Sequence, residues 1–145
     1  MGHSITITAT GGAGEIPAYV AQPAAPAKAA IIVIPEIFGL NAGFRHKVDD
    51  WAALGYLAIA PDIFWRFAPG VELDPDVPEQ LQEAFGYFQQ YDADLGVEDI
   101  RAAHVHGVGA IAERRRNENF DAVCRVGQTN DGDAVIQNLF GCVGQ

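Results

Sequence analysis

Cysteine is scarce in this chain: only Cys124 and Cys142 occur in 145 residues, and they show no C-x-x-C spacing. That excludes a disulfide framework and a cysteine-built zinc module, and a reduced, cytoplasmic setting is expected. Basic residues are scarce too. Nine Lys and Arg stand against nineteen Asp and Glu, a formal net charge of −10. Such a balance excludes a nucleic-acid or anionic-membrane partner, either of which needs a basic face. The single basic run, Arg114-Arg115-Arg116, is too short to change that. No apolar segment reaches the ~18 residues of a membrane span. The opening "MGHSITITATGG" has neither a basic nor an apolar leader region, so no signal peptide is expected.

What is present is enough for one core: 49% hydrophobic residues with 19% charged, in a length that suits a single domain, 1–145. "SITITAT" alternates apolar and polar residues, and "PAYVAQP" follows a glycine-rich turn, which predicts a hairpin. "AIIVIPE" and "YLAIAPD" are apolar without alternation, the pattern of strands buried on both faces of a parallel sheet. Between them, Asn41 suits a helix cap, Phe44, Val48 and Trp51 keep helical spacing, and Gly55 suits the stop. Strand–helix–strand order predicts a right-handed parallel unit, hence an α/β architecture. The expected strands are residues 30–35 and 56–60, and the expected helices 42–54 and 79–92. A further helix is expected in "DADLGVEDIRAAHVHGVGAIAERRR", with Leu95, Ile100, Ala103 and Gly107 toward the sheet. In the last thirty residues, "FDAVCRVG" suits a strand and "DGDAVIQNLFGC" a short helix.

Glu36 is the one carboxylate in the most apolar segment, "AAIIVIPEIFGLNAGF". It falls at the carboxyl end of a predicted central strand, where ligands of open α/β sheets sit. Crowded by Ile34, Ile37 and Phe38, it is expected to be at least half buried, with its pKa raised unless a cation reaches it. A carboxylate of that kind suits proton transfer near neutral pH. A helix cap or an ion pair with Arg45 or Arg66 would explain the residue equally well. His104-x-His106 offers no metal site with Glu98 or Asp99, because residues two apart on a helix point about 200° from each other. No metal and no cofactor is expected.

The blocks "IPEIFGLNAGFRHKVDDWAALGYLAIAPDIFWRFAPGVELDP" and "YDADLGVEDIRAA" resemble the dienelactone hydrolase family, over residues from about 17 to 103. The resemblance implies an α/β-hydrolase-like parallel sheet with flanking helices. It also implies hydrolysis of a small lactone or carboxylic ester, the family's cyclic enol-lactones being the reference, through a cysteine nucleophile. Glu36 matches the glutamate that takes the proton from that thiol. Ile37 matches the residue whose backbone N–H helps to form the oxyanion hole. Leu81 and Phe85 occupy substrate-contact positions where the lactone-specific enzymes carry an arginine and a tyrosine. Arg66 matches a family position and is expected to pair with a nearby acid such as Asp62 or Glu72.

The family-like part, about residues 1–103, is followed by a divergent tail, 104–145. No G-x-C-x-G or G-x-S-x-G elbow occurs. Cys124, the nearest candidate nucleophile, has Ala122 and Val126 where the elbow needs glycines. Thr129 suits an elbow less well because of its β-branch, and Cys142 has no activating neighbour. The four histidines, His3, His46, His104 and His106, all precede Cys124, whereas the family order places its histidine after the nucleophile. Two expectations follow: a shortened or altered dienelactone hydrolase that is inactive on its own, or a non-catalytic hydrolase-derived binding domain. Either leaves an open sheet edge through which copies would associate.

Overall fold

The computed structural model describes residues 2–117, with side chains described as far as residue 113. Strands β1 (His3–Thr8) and β2 (Glu15–Ala21) form the expected antiparallel hairpin, Ile7 facing Ile16 across it. β3 (Ala30–Ile32) and β4 (Leu57–Pro61) pair in parallel with Ile31 beside Ala58, as the two non-alternating runs predict. The hairpin joins β4 antiparallel through β2, so the described sheet is mixed, in the order β1-β2-β4-β3. β3 is shorter than the predicted 30–35 for a local reason. The Val33 N–H still reaches the Ile59 carbonyl at 2.8 Å. The next donor in that register would be residue 61, a proline without an N–H.

Helix α1 (Ala42–Ala53) covers one face of the sheet, and α3 (Ala93–Asn117) covers the other. The two faces are built in opposite ways. Toward α1 the strands offer small residues, Ala21, Ala58 and Ala60, and the helix fills the space with Phe44, Val48 and Trp51. Toward α3 the strands carry Ile16, Val20, Leu57 and Ile59, and the helix answers with Ala102 and Ala103. Gly107 continues that small stripe; a β-carbon there would lie 3.0 Å from the Ile59 side chain. Large against small on each face lets both layers close without voids. Of the residues expected to face the sheet from α3, Ala103 and Gly107 are buried, but Leu95 is exposed. Gly96 takes the buried place instead, because the Tyr91 hydroxyl lies where a residue-96 side chain would begin.

α1 is capped by Asn41, whose Oδ1 accepts from the Phe44 N–H at 2.9 Å. The chain leaves it through Gly55 at φ +95°, the left-handed stop the sequence suggested. Helix α2 (Pro78–Gln90) opens with Pro78 in its first turn and buries only Ala84. It docks through a third cluster, in which Phe64, Val71 and Leu73 gather Ile37, Phe38, Tyr87 and Tyr91. That cluster ties the loop after β4 to the loop after β3, and so positions Glu36. Cys124, Thr129, Cys142 and the strand and helix expected near them lie outside the described residues.

Candidate functional site

The segment leaving β3 is a tight turn in which the Gly39 N–H returns to the Glu36 carbonyl at 3.1 Å. Glycine is required at its end on two counts. The residue has φ +71°, and a β-carbon would stand 2.0 Å from the Val71 carbonyl oxygen. This closeness allows a short antiparallel bridge. Leu40 N–H donates to the Val71 carbonyl at 3.1 Å, and Leu73 N–H donates to the Phe38 carbonyl at 2.9 Å. The far end is held from α1. Asn41 Nδ2 donates to the Leu73 carbonyl at 2.7 Å, and Arg45 Nη1 donates to the Leu40 carbonyl at 2.6 Å. The same guanidinium grips Glu72 through both carboxylate oxygens, which raises the Arg45 pKa further above its ordinary range.

Glu36 lies on the rim of a cleft of about 610 Å³, lined also by Phe38, Gly43, Lys47, Glu72 and Asp74. Its side chain is 50% exposed, so the residue only just reaches the half burial expected. The apolar neighbours that should have crowded it turn elsewhere. Ile37 and Phe38 pack into the third cluster, and Ile34 is itself 39% exposed. The cation beside Glu36 is neither Arg45 nor Arg66 but Lys47, with Nζ 3.5 Å from Oε1. Among the described residues, neither a carbonyl nor a side-chain oxygen accepts the Ile37 N–H. Leu81 is half-buried on α2 beside the cleft-lining Gln80, and Phe85, one turn on, is exposed; neither lines the cleft.

Arg66 does not pair with Asp62 or Glu72. Its Nε and Nη2 grip both oxygens of Asp99 at 2.9 and 2.7 Å, and Trp65 Nε1 donates to the same carboxylate at 2.7 Å. The Arg66 guanidinium also stacks 4.7 Å from the Trp65 ring centre. Asp99 is 4% exposed, so the carboxylate is buried but satisfied on both oxygens. The pair escapes a reading from sequence proximity because its members are thirty-three residues apart, joined only when α3 folds over the loop after β4. Beside it, burial first, then the charges of Asp99 and Asp92, raise the pKa of the Tyr91 hydroxyl.

Asp62 follows β4 inside the protein, 2% exposed. Its carboxylate accepts the Phe64 N–H at 2.9 Å and the Gly70 N–H at 2.8 Å, closing the loop between them. Burial outweighs those two hydrogen bonds and raises its pKa. His104 and His106 are exposed on α3, while Glu98 pairs with Arg101. No helix among the described residues is long and apolar enough to cross a membrane.

The sequence pattern of the dienelactone hydrolase family matches residues 16–127. Carboxymethylenebutenolidase 1 of Cupriavidus pinatubonensis is 31% identical over 103 residues, covering 71% of this chain and 44% of that protein. The carboxymethylenebutenolidase of Pseudomonas sp. strain P51 is 38% identical over 101 residues, covering 69% of this chain and 42% of that protein. A crystal structure from Klebsiella pneumoniae, provisionally described as a dienelactone hydrolase, superposes with a TM-score of 0.56 at 27% identity, over 71% of this chain and 41% of that one. The chain thus spans less than half the length of these relatives, and its sheet and flanking helices are α/β-hydrolase-like. It belongs to the dienelactone hydrolase family.

Proposed function

We propose that this chain supplies the base-and-oxyanion half of a site that hydrolyses a lactone or carboxylic ester through a cysteine nucleophile. Glu36 draws the proton from the thiol, and the Ile37 N–H receives charge developing on the carbonyl oxygen. The observation that supports this best is the Gly39-held turn. It fixes a carboxylate and a backbone N–H without an acceptor in sequence, at the carboxyl end of a parallel strand and on a cleft rim. A thiol needs the help, since its free pKa is about 8.5. An acyl group covering Glu36 would strip water from the carboxylate and strengthen its pull on the proton. Leu81 and Phe85 lie outside the cleft on α2, and are proposed to meet the part of the substrate that extends beyond it.

The 145-residue polypeptide by itself is expected to turn substrate over weakly. Cys124 is the candidate nucleophile, but Ala122 and Val126 flank it in place of glycines. The second oxyanion donor would be the residue after the nucleophile, so half the hole depends on that same segment. These features favour, as a second reading, a hydrolase-derived domain that binds without catalysing. Hydrolysis of p-nitrophenyl acetate and of a dienelactone, followed beside Cys124→Ala, separates the two. Weak turnover indifferent to Cys124→Ala is expected; robust turnover abolished by it would show a working elbow. Among the described residues β3 is an outer strand of the sheet, and association of copies through that edge belongs to the same reading. Sedimentation showing a monomer at high concentration would remove it.

A further inference from the structure

Among the described residues, the lining of the Glu36 cleft carries four carboxylates, Glu36, Glu72, Asp74 and Asp76, against one ammonium, that of Lys47. The described cations near it are already engaged. Lys47 stands 3.5 Å from Glu36, and Arg45 is gripped on both nitrogens by Glu72. Farther along, Arg66 is closed by Asp99. A ligand carboxylate entering here would have to draw a cation from its partner, stranding Glu36 or Glu72, while facing the remaining acids across an open cleft. Like charges so placed exclude a ligand by repulsion rather than by shape. The uncharged part of the lining, Phe38, Leu73 and Pro75, gives an apolar ring a surface to lie on.

From this we propose that the cleft takes uncharged or cationic lactones and esters and discriminates against those that carry a carboxylate. The inference rests on the reading of the cleft as the substrate site, but it concerns binding and not turnover. It therefore departs from the acidic cyclic lactones taken as the family reference. Glu72, Asp74 and Asp76 are the specificity-determining residues.

The test uses the full chain and two saturated cyclopentanones that mimic the lactone ring but cannot be hydrolysed at it and offer no alkene for a thiol to add to. One carries a carboxymethyl group, the other the matching carboxamide. Amide NMR titration, read at Gly39, Gly43 and Lys47, reports on the cleft directly. The carboxamide is expected to bind about tenfold tighter than the carboxylate at low salt, with the gap shrinking as salt is added. Asp76→Asn removes one charge from a side chain that accepts none of the loop's hydrogen bonds described above, and should narrow the gap about twofold. Equal or tighter binding of the carboxylate overturns the proposal, as does a gap that ignores both salt and Asp76→Asn. Failure of both ligands to move these amides also overturns it, by removing the cleft as a binding site. Because neither probe reacts, a chain without hydrolytic activity leaves the result fully readable.

Discussion

Gly39 and Val71 stand in contact that no other residue at position 39 could keep, since an added β-carbon would lie 2.0 Å from the Val71 carbonyl oxygen. The clash is with backbone, which cannot swing aside as a side chain can. Gly39→Ala should therefore cost about 3 kcal/mol, combining left-handed strain with displacement of the 71–73 segment. Gly70→Ala provides the control, because φ is +80° there but nothing lies within 4 Å of the added carbon. It should cost about 1 kcal/mol. Urea denaturation of the two variants measures the difference; equal costs would mean that the bridge is not rigid.

The Arg66–Asp99 pair offers a matched comparison with Arg101–Glu98. The first sits on a carboxylate with a side chain 6% exposed, and the second joins side chains 53% and 43% exposed on the surface of α3. Arg66→Met strands a buried charge with only the Trp65 N–H left to it, and should cost about 3 kcal/mol. Arg101→Met should cost less than about 0.5 kcal/mol. Denaturation midpoints at neutral pH check both. Similar losses would show that Asp99 finds water once Arg66 is gone.

Asp62 gives a pH dependence opposite in sign to that of a salt-bridged carboxylate. Its folded-state pKa is raised, so the folded protein holds this proton more tightly than the unfolded chain does. The resulting stabilisation is complete below the unfolded value of about 3.9. It is lost as pH rises through the higher folded value. Asp62→Asn should be less stable than the parent in acid, because its amide group cannot accept the Gly70 N–H. The gap should narrow as pH rises. Urea titrations between pH 4 and 7 on both proteins read this out, and a gap that widens with pH would contradict it.

Much of the fold was legible in the chain. Two apolar runs without alternation specified a pair of parallel strands, and Asn41 with Gly55 bounded α1 because capping is a local transaction between neighbours in sequence. The α/β reading needed no more than that. Glu36 was legible as a position but not as an environment. Whether Ile37 and Phe38 crowd the carboxylate depends on Phe64, Val71 and Leu73 drawing them away, and those residues arrive from another loop. Asp99 was missed as the partner of Arg66 for the same reason, and Lys47 as the partner of Glu36. Each such pair is decided by which helix crosses which loop, and a linear pattern does not encode that.

The proposed function requires that residues 2–117 furnish a competent base and oxyanion donor for a family active site. A chimera tests this most directly: this chain's residues 1–113 joined to the remainder of the Pseudomonas sp. strain P51 carboxymethylenebutenolidase, assayed on p-nitrophenyl acetate and on an uncharged enol-lactone. If Glu36 is the activating base, a cooperatively melting chimera hydrolyses both, and Glu36→Gln lowers kcat/KM by ~10²–10⁴. A well-folded chimera that is inactive, or whose activity is unchanged by Glu36→Gln, would contradict the assignment of Glu36 and of the half-site built around it.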